Sequence, residues 1–304
     1  MPKNKSRGFK TVDVIYLLIT VLPLVAGMVI KVLTTPKIDG IQIAGAQKYF
    51  CIKMPLQDMW ITASQINSWL VMISIFGLCL FITHGISAKG GLKRQLVAEW
   101  IVEKTKGLVN ENMGEYFSGF APFIASIMAL SAFSSLMSLL GLYPPTSDMN
   151  IVAGWAILVF ILITHYKLKC GLWYYIKGFF DPIPFFAPFN VIGELANPVS
   201  MTFRHYGNVL SGTVISTLLA FALGSLSNKL LGSLPGFLAD IPIFQVGIPA
   251  VLSVYFDLFS GLLQAFIFAM LTMLYVSGAF DPEAYAEYKR KKMEKKLKKA
   301  KKVK

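Results

Sequence analysis

The chain has 304 residues, 55% of them apolar and only 15% charged. Ordinary soluble domains carry about 25% charged residues, so this composition excludes both a typical soluble enzyme and a disordered chain. The net charge of +13 is concentrated in residues 289–304 (KRKKMEKKLKKAKKVK), which hold eleven Lys/Arg and one Glu and leave +3 for the other 288. A lysine run without interleaved aromatics is a solvated tail attracted to anionic lipid, and it predicts no nucleic-acid partner.

A membrane-spanning helix needs about 20 consecutive, mostly apolar residues. The first candidate, 14–30, follows the basic segment MPKNKSRGFK, the pattern that also opens a signal peptide. Lys31 follows directly and no clean A-x-A cleavage site is present, so the stretch predicts an uncleaved anchor. Further spans are predicted at 69–82, 120–142 and 151–166, and two longer apolar regions cover 185–226 and 244–280. Positive charge marks the cytoplasmic side. Lys3, Lys5, Arg7 and Lys10, then Lys89, Lys93, Arg94, Lys104 and Lys106, then Lys167, Lys169 and Lys177, and finally the tail all fall on one face if the chain crosses six times. The outer segments are then 33–68, 143–150 and about 227–245, of which the first carries Lys37, Lys48 and Lys53 at lower density. The two halves share no repeat, which weighs against an inverted-repeat transporter.

The motifs of covalent and nucleotide chemistry are missing. Cys51, Cys79, Cys170, His84, His165 and His205 are scattered without CxxC or HxxxH spacing, and no GxxxxGK[ST], GxSxG or GxGxxG pattern occurs. No metal, cofactor or catalytic site is predicted.

The polar residues of the last two apolar regions carry the information. Region 185–226 is too long for one upright helix, so it must cross obliquely or as a short hairpin followed by a helix. After Pro198 it reads as a helix on which Ser200, Arg204, Gly207, Asn208, Ser211 and Gly212 share a polar or small face, because residues three and four apart are neighbours. In the last span, Ser253, Asp257, Ser260 and Gln264 are spaced 4, 3 and 4 on another polar stripe. If the two helices run antiparallel, Asn208, Thr213 and Asp257 lie in the outer half of the membrane and Glu194 and Ser200 in the inner half, with Arg204 between. An arginine at mid-membrane costs about 2.5–3.5 kcal/mol, so it needs compensation: snorkelling, a structural pair with Asp257 or Glu194, or a functional partner. Guanidinium keeps its proton at any relevant pH, so it is a proton barrier that holds a neighbouring carboxylate ionised. A single arginine excludes voltage sensing.

Three stretches carry a resemblance: SLLGLYPPTSDMN (138–150), GELANPVSMTFRHYGN (193–208) and LLQAFIFAMLTMLYVSGAF (262–280). In this order, over residues 69–280, the chain resembles subunit a of the rotary F-type ATP synthase. The resemblance implies a stator working against a ring of c subunits, held by the subunit b peripheral stalk, as a subunit of the F1Fo complex without catalytic chemistry of its own. It implies that Arg204 is the essential arginine, flanked by Asn208 and Gln264, with Asp257 in the outer half-channel, Glu194 in the inner half-channel, and Asp148 and Asn150 on the outer approach. The chain departs from the family pattern at His205-Tyr206, where Leu-Phe is commoner, and at Thr213, where several members carry a carboxylate or imidazole; His205 lies about 100° round the helix from Arg204, pointing to packing or lipid.

The expected fold is therefore all-α and polytopic, with about six membrane helices and the Arg204 helix packed against the C-terminal one. Residues 1–33 form a cytoplasmic segment and anchor, 34–68 an outer loop, 69–280 the membrane stator domain and 281–304 a basic cytoplasmic tail, in a cell inner (plasma) membrane with both termini cytoplasmic. Two other readings stay open: a self-contained cation/proton antiporter using an Asp257–Arg204 pair, and a non-transporting scaffold with a structural ion pair.

Overall fold

A computed structural model describes residues 11–34, 45–55, 58–87, 93–181, 183–231, 247, 249, 251–252 and 254–302. The chain is a polytopic α-helical membrane protein. Among the described residues six helical stretches are long and apolar enough to cross a bilayer: Thr11–Thr34, Ala63–Thr83, Glu115–Leu140, Met149–Lys169, Pro184–Ser227 and Val254–Gly278.

Helix α1 (Thr11–Thr34) lies along α2 (Ala63–Thr83), and the two meet closely because Gly77 leaves no side chain against the backbone of Ile19 and Thr20. At its other end α1 is tied down by the buried Asp13 carboxylate, which accepts from Arg94 Nη1 at 2.5 Å. Between α1 and α2 the chain forms an antiparallel hairpin, β1 (Lys48–Ile52) and β2 (Met59–Thr62), in the segment expected to be an outer loop. The loop after α2 contains a second unforeseen element, α3 (Lys93–Met113), whose charged composition keeps it out of the spanning set while Thr105, Val109 and Met113 anchor it in the core.

Helix α4 (Ala121–Leu136) is extended by 3-10 turns at Glu115–Phe120 and Met137–Leu140, and ends at Gly141, whose φ of 69° suits a residue without Cβ. Asp148 caps the next helix, α5 (Met149–Lys169), by accepting from Asn150 N at 3.0 Å. A short helix, α6 (Leu172–Phe180), leads to α7 (Ala187–Leu231), a single helix of 45 residues. The alternative of a hairpin followed by a helix is thereby settled in favour of one element. At 1.5 Å per residue α7 is about 66 Å long, twice the thickness of the hydrocarbon core, so it crosses steeply tilted or runs beyond it. Pro198 is accommodated without a break; Thr202 Oγ1 donates to the Pro198 carbonyl at 2.8 Å.

A π-helical turn, Val254–Ser260, precedes α8 (Gly261–Gly278), and α9 (Pro282–Lys302) carries the basic tail. The core is formed by α3, α4, α5 and α8 around Val109, Ile124, Val159, Phe268 and Met273, with Tyr116, Phe117, Tyr166 and Phe280 stacked edge and face at one end. Against this core α7 is docked by one side, leaving Phe203, Ile215, Leu218 and Phe221 exposed.

Candidate functional site

Three contacts set the register of α7 against the returning segment. Gly212 lies so close to Phe256 that an added Cβ would be 3.1 Å from its ring, Asn208 Nδ2 donates to Ser260 Oγ at 2.7 Å, and His205 meets Phe268 edge-to-face at 5.6 Å. Rising numbers on one side meet falling numbers on the other, so the two are antiparallel, as the sequence requires. Glycine at 212 permits the approach; the same device recurs at Gly261, where an added Cβ would stand 2.7 Å from Ser135 Cβ.

Arg204 is exposed, and among the described residues it has no hydrogen-bond or ion-pair partner. Ser200 and Ser211 on its face are exposed too, and a Cβ placed on Gly207 would meet nothing within 4 Å. The guanidinium therefore stands on an open flank of a membrane helix. Its neighbour His205 points the other way, wholly buried against Trp155 and Phe268, with Nε2 3.4 Å from Ser131 Oγ and Nδ1 without a partner.

On the C-terminal side of Arg204 lies a cavity of about 470 Å³ lined by Leu210, Thr213, Ser216 and Thr217 of α7 and by Asp257 of the π turn. Its other walls come from α1 (Gly27, Lys31), α2 (Ile66, Asn67) and the 138–147 connection. Asn67 Nδ2 donates to the Tyr143 carbonyl at 2.8 Å, bracing that connection. Burial, then the Asp148 carboxylate and Tyr206, push the Tyr143 hydroxyl above its ordinary value, so it stays protonated and donates to Ser147 O at 3.3 Å. The π turn explains why the expected 4-3-4 stripe does not remain one stripe: π windings are wider than α windings, and Asp257 faces the cavity, Ser260 faces Asn208 and Gln264 is buried. Ser253 lies outside the described residues. Asp148 borders this region through Ser147, but its carboxylate is engaged by Ser64 Oγ and the Asn150 amide; the Asn150 side chain is exposed.

On the N-terminal side a second cavity, about 380 Å³, is lined by Lys167, Tyr175, Asn190, Glu194, Asn197 and Asp281. Glu194 is buried and pairs with Lys167 Nζ at 3.0 Å, with the Tyr175 hydroxyl 3.4 Å from the same oxygen. Burial, then that carboxylate, raises the Tyr175 hydroxyl above its usual range. Along α7, Glu194 and Thr213 lie about 15 Å and 14 Å to either side of Arg204. Two separate cavities, one on either side of Arg204 along α7 and each holding a carboxylate, flank a cation that has no partner among the described residues. Lys167, Tyr175, Asn67 and Lys31 were not among the sequence-predicted site residues; they reach the site through contacts distant in sequence that no local pattern announces.

The family model described as ATP synthase A chain matches residues 65–277. ATP synthase subunit a of Legionella pneumophila (strain Philadelphia 1) is 26% identical over 223 residues, covering 73% of this chain and 87% of the relative. The subunit a of Priestia megaterium is 30% identical over 238 residues, covering 73% and 94%. A protein of Propionigenium modestum named ATP synthase subunit a, sodium ion specific, is 27% identical over 244 residues, covering 75% and 77%.

Proposed function

The chain belongs to the ATP synthase A chain family, and from that premise we propose how its two cavities and its arginine couple ion flow to rotation. As subunit a it is a stator component of an F-type ATP synthase, without catalytic chemistry of its own, and works with the c ring in ion translocation. In the proposed mechanism the cavity beside Asp257 and Thr213 is the outer half-channel, with Asp148 and Asn150 at its rim, and the cavity beside Glu194 is the inner one. An ion arriving from outside passes Asp257, reaches the level of Asn208 and Gln264, and neutralises a carboxylate of the c ring, which then turns into lipid. After nearly a full turn that carboxylate faces Ser200 and Glu194, loses its ion inward and is held ionised by Arg204.

The observation that carries this reading is the state of Arg204. A mid-membrane guanidinium needs an offsetting partner; among the described residues it has none, and its flank is open. A carboxylate brought by another subunit supplies the missing partner. The same observation disfavours an antiporter or scaffold built on an Asp257–Arg204 pair, because Arg204 pairs with no described carboxylate. Each charge crossing 100 mV contributes about 2.3 kcal/mol, so several must be summed for one ATP. That summation requires the offset cavities to stay unjoined, and it requires subunit b, the peripheral stalk, to hold this chain still against the turning ring.

We place both termini and the Glu194 cavity on the cytoplasmic side of a bacterial plasma membrane, in keeping with the lysine distribution. There α9 docks under α5: Tyr288 rests against Gly171, whose φ of 115° excludes other residues at low cost, and a cleft of about 480 Å³ between Lys169, Tyr285, Lys289 and Lys292 suits anionic lipid headgroups.

The decisive experiment replaces Arg204 by Ala in the reconstituted complete complex. ATP synthesis from an imposed gradient is expected to vanish; synthesis at the parent rate overturns the mechanism. The purified chain alone in liposomes is expected to move no ions, whereas transport by it establishes the antiporter.

A further inference from the structure

The cavity beside Asp257 is not built by the family-matched stretch alone. Residues 65–277 are matched, yet Gly27, Ile30 and Lys31 of α1 and Gln47 and Tyr49 of the hairpin line the same space as Thr213 and Asp257. This wall is fastened at several points. The Ala63 amide donates to the Gln47 carbonyl at 2.8 Å, and Thr34 Oγ1 lies 3.4 Å from the Tyr49 hydroxyl. Lys31, in the last turn of α1, donates from Nζ to the carbonyl of Gly141. That carbonyl belongs to the left-handed residue that ends the α4 extension, so the ammonium, although exposed, has an acceptor 110 residues away in the chain.

The charges around Lys31 are few. Helix α2, packed along α1, carries no charged side chain; on the hairpin the Lys48 amine sits over the Trp60 ring at 5.3 Å, and Lys53 and Asp58 lie between its strands. Among the described cavity-lining residues the charged groups are Lys31 and Asp257, with the hydroxyls of Tyr49 and Tyr143 as further titratable groups. A fixed cation therefore stands in the same space as the carboxylate assigned to the inlet.

We propose that Lys31 of this wall acts on the outer half-channel as a positive charge that opposes loading of the inlet with a cation, the proton included. This rests on reading the Asp257 cavity as the inlet. Loading the inlet places a unit positive charge on the Asp257 carboxylate, and the ammonium in the same cavity opposes it. The charge also sets how acidic the outer medium must be before the inlet fills.

The test uses the complete complex in liposomes, with ATP synthesis followed against outer pH at fixed inner pH and fixed driving voltage, normalised to assembled complex. Lys31→Glu is expected to move the half-maximal outer pH upward by about half a unit or more, the order of effect that reversing a unit charge has across about 10 Å of water. Lys31→Gln is expected to move it about half as far, Lys31→Arg not at all, and the shift is expected to shrink as salt rises. A Lys31→Glu profile identical to the parent, or an Arg profile as displaced as the Glu one, overturns the proposal; the second outcome marks a purely structural hydrogen bond. Asp257→Asn serves as the control. If it leaves synthesis at the parent rate, the inlet reading itself fails; if it depresses synthesis while Lys31→Glu changes nothing, only the role of Lys31 fails.

Discussion

Arg204 and His205 are consecutive residues of α7 and occupy opposite environments: the guanidinium is exposed on an open flank, and the imidazole is 0% exposed between Trp155 and Phe268. One residue is a turn of about 100°, enough to pass from a side chain packed inside the subunit to one that is exposed and without a partner among the described residues. The packing of His205 fixes the rotation of α7 about its axis, and that rotation aims Arg204 outward.

His205 is accordingly expected to serve packing and not proton transfer. Its Nδ1 has no partner and its Nε2 only a 3.4 Å contact, so an apolar side chain of similar size removes an unsatisfied group. His205→Leu should leave complex yield and gradient-driven ATP synthesis close to the parent, while His205→Asp, which buries a charge, should block assembly. Loss of synthesis in a fully assembled His205→Leu complex contradicts this.

The contact of Gly261 with Ser135 should be intolerant of a single methyl group. Gly261→Ala places its Cβ 2.7 Å from Ser135 Cβ and is expected to cost about 1–3 kcal/mol by overpacking. Ser135→Gly in the same chain should recover most of that loss. The thermal midpoint of the protein in detergent measures both, and absence of recovery shows that the strain lies elsewhere.

Glu194 and Lys167 should behave as a coupled pair. The carboxylate side chain is 7% exposed, so Lys167→Met leaves it buried and uncompensated, whereas the double variant Lys167→Met/Glu194→Gln does not. The double variant is expected to be more stable than Lys167→Met alone, with a coupling of about 1 kcal/mol or more in a double-mutant cycle of thermal unfolding. Glu194→Gln, alone or in the double variant, should also slow gradient-driven synthesis, which separates a channel role from a merely structural pair.

The docking of α9 should depend on acid pH. The Tyr174 hydroxyl donates to Asp281 at 2.8 Å and, with the amides of Ala284 and Glu283, holds that carboxyl below its ordinary value of 3.8. A depressed carboxylate stabilises the docked form above its ordinary value, and the contribution disappears as pH falls through the depressed one. Protection of the tail from limited proteolysis should therefore be constant around neutrality and fall only in strong acid. Tyr174→Phe should weaken it already at neutral pH; unchanged protection in that variant refutes the docking role of Asp281.

Much of this molecule is legible from local chemistry. Apolar runs of spanning length, lysines recurring on one side and a lone arginine in the fifth span depend only on composition and short spacing, and they are sufficient for six membrane helices, an antiparallel closing pair and Arg204 as the residue in need of a partner. The family stretches 138–150, 193–208 and 262–280 work at the same range.

Tertiary structure alone decided the rest. That α7 passes through Pro198 as one helix, that a π turn re-aims Asp257 away from Gln264, and that Lys31 reaches the carbonyl of Gly141 across 110 residues follow from packing, not from periodicity. Hydropathy and helical spacing act over a few residues, and so they determine which faces are apolar. Cavities are spaces between helices far apart in the chain, and close approaches such as those at Gly27, Gly77, Gly212 and Gly261 fix where those spaces remain.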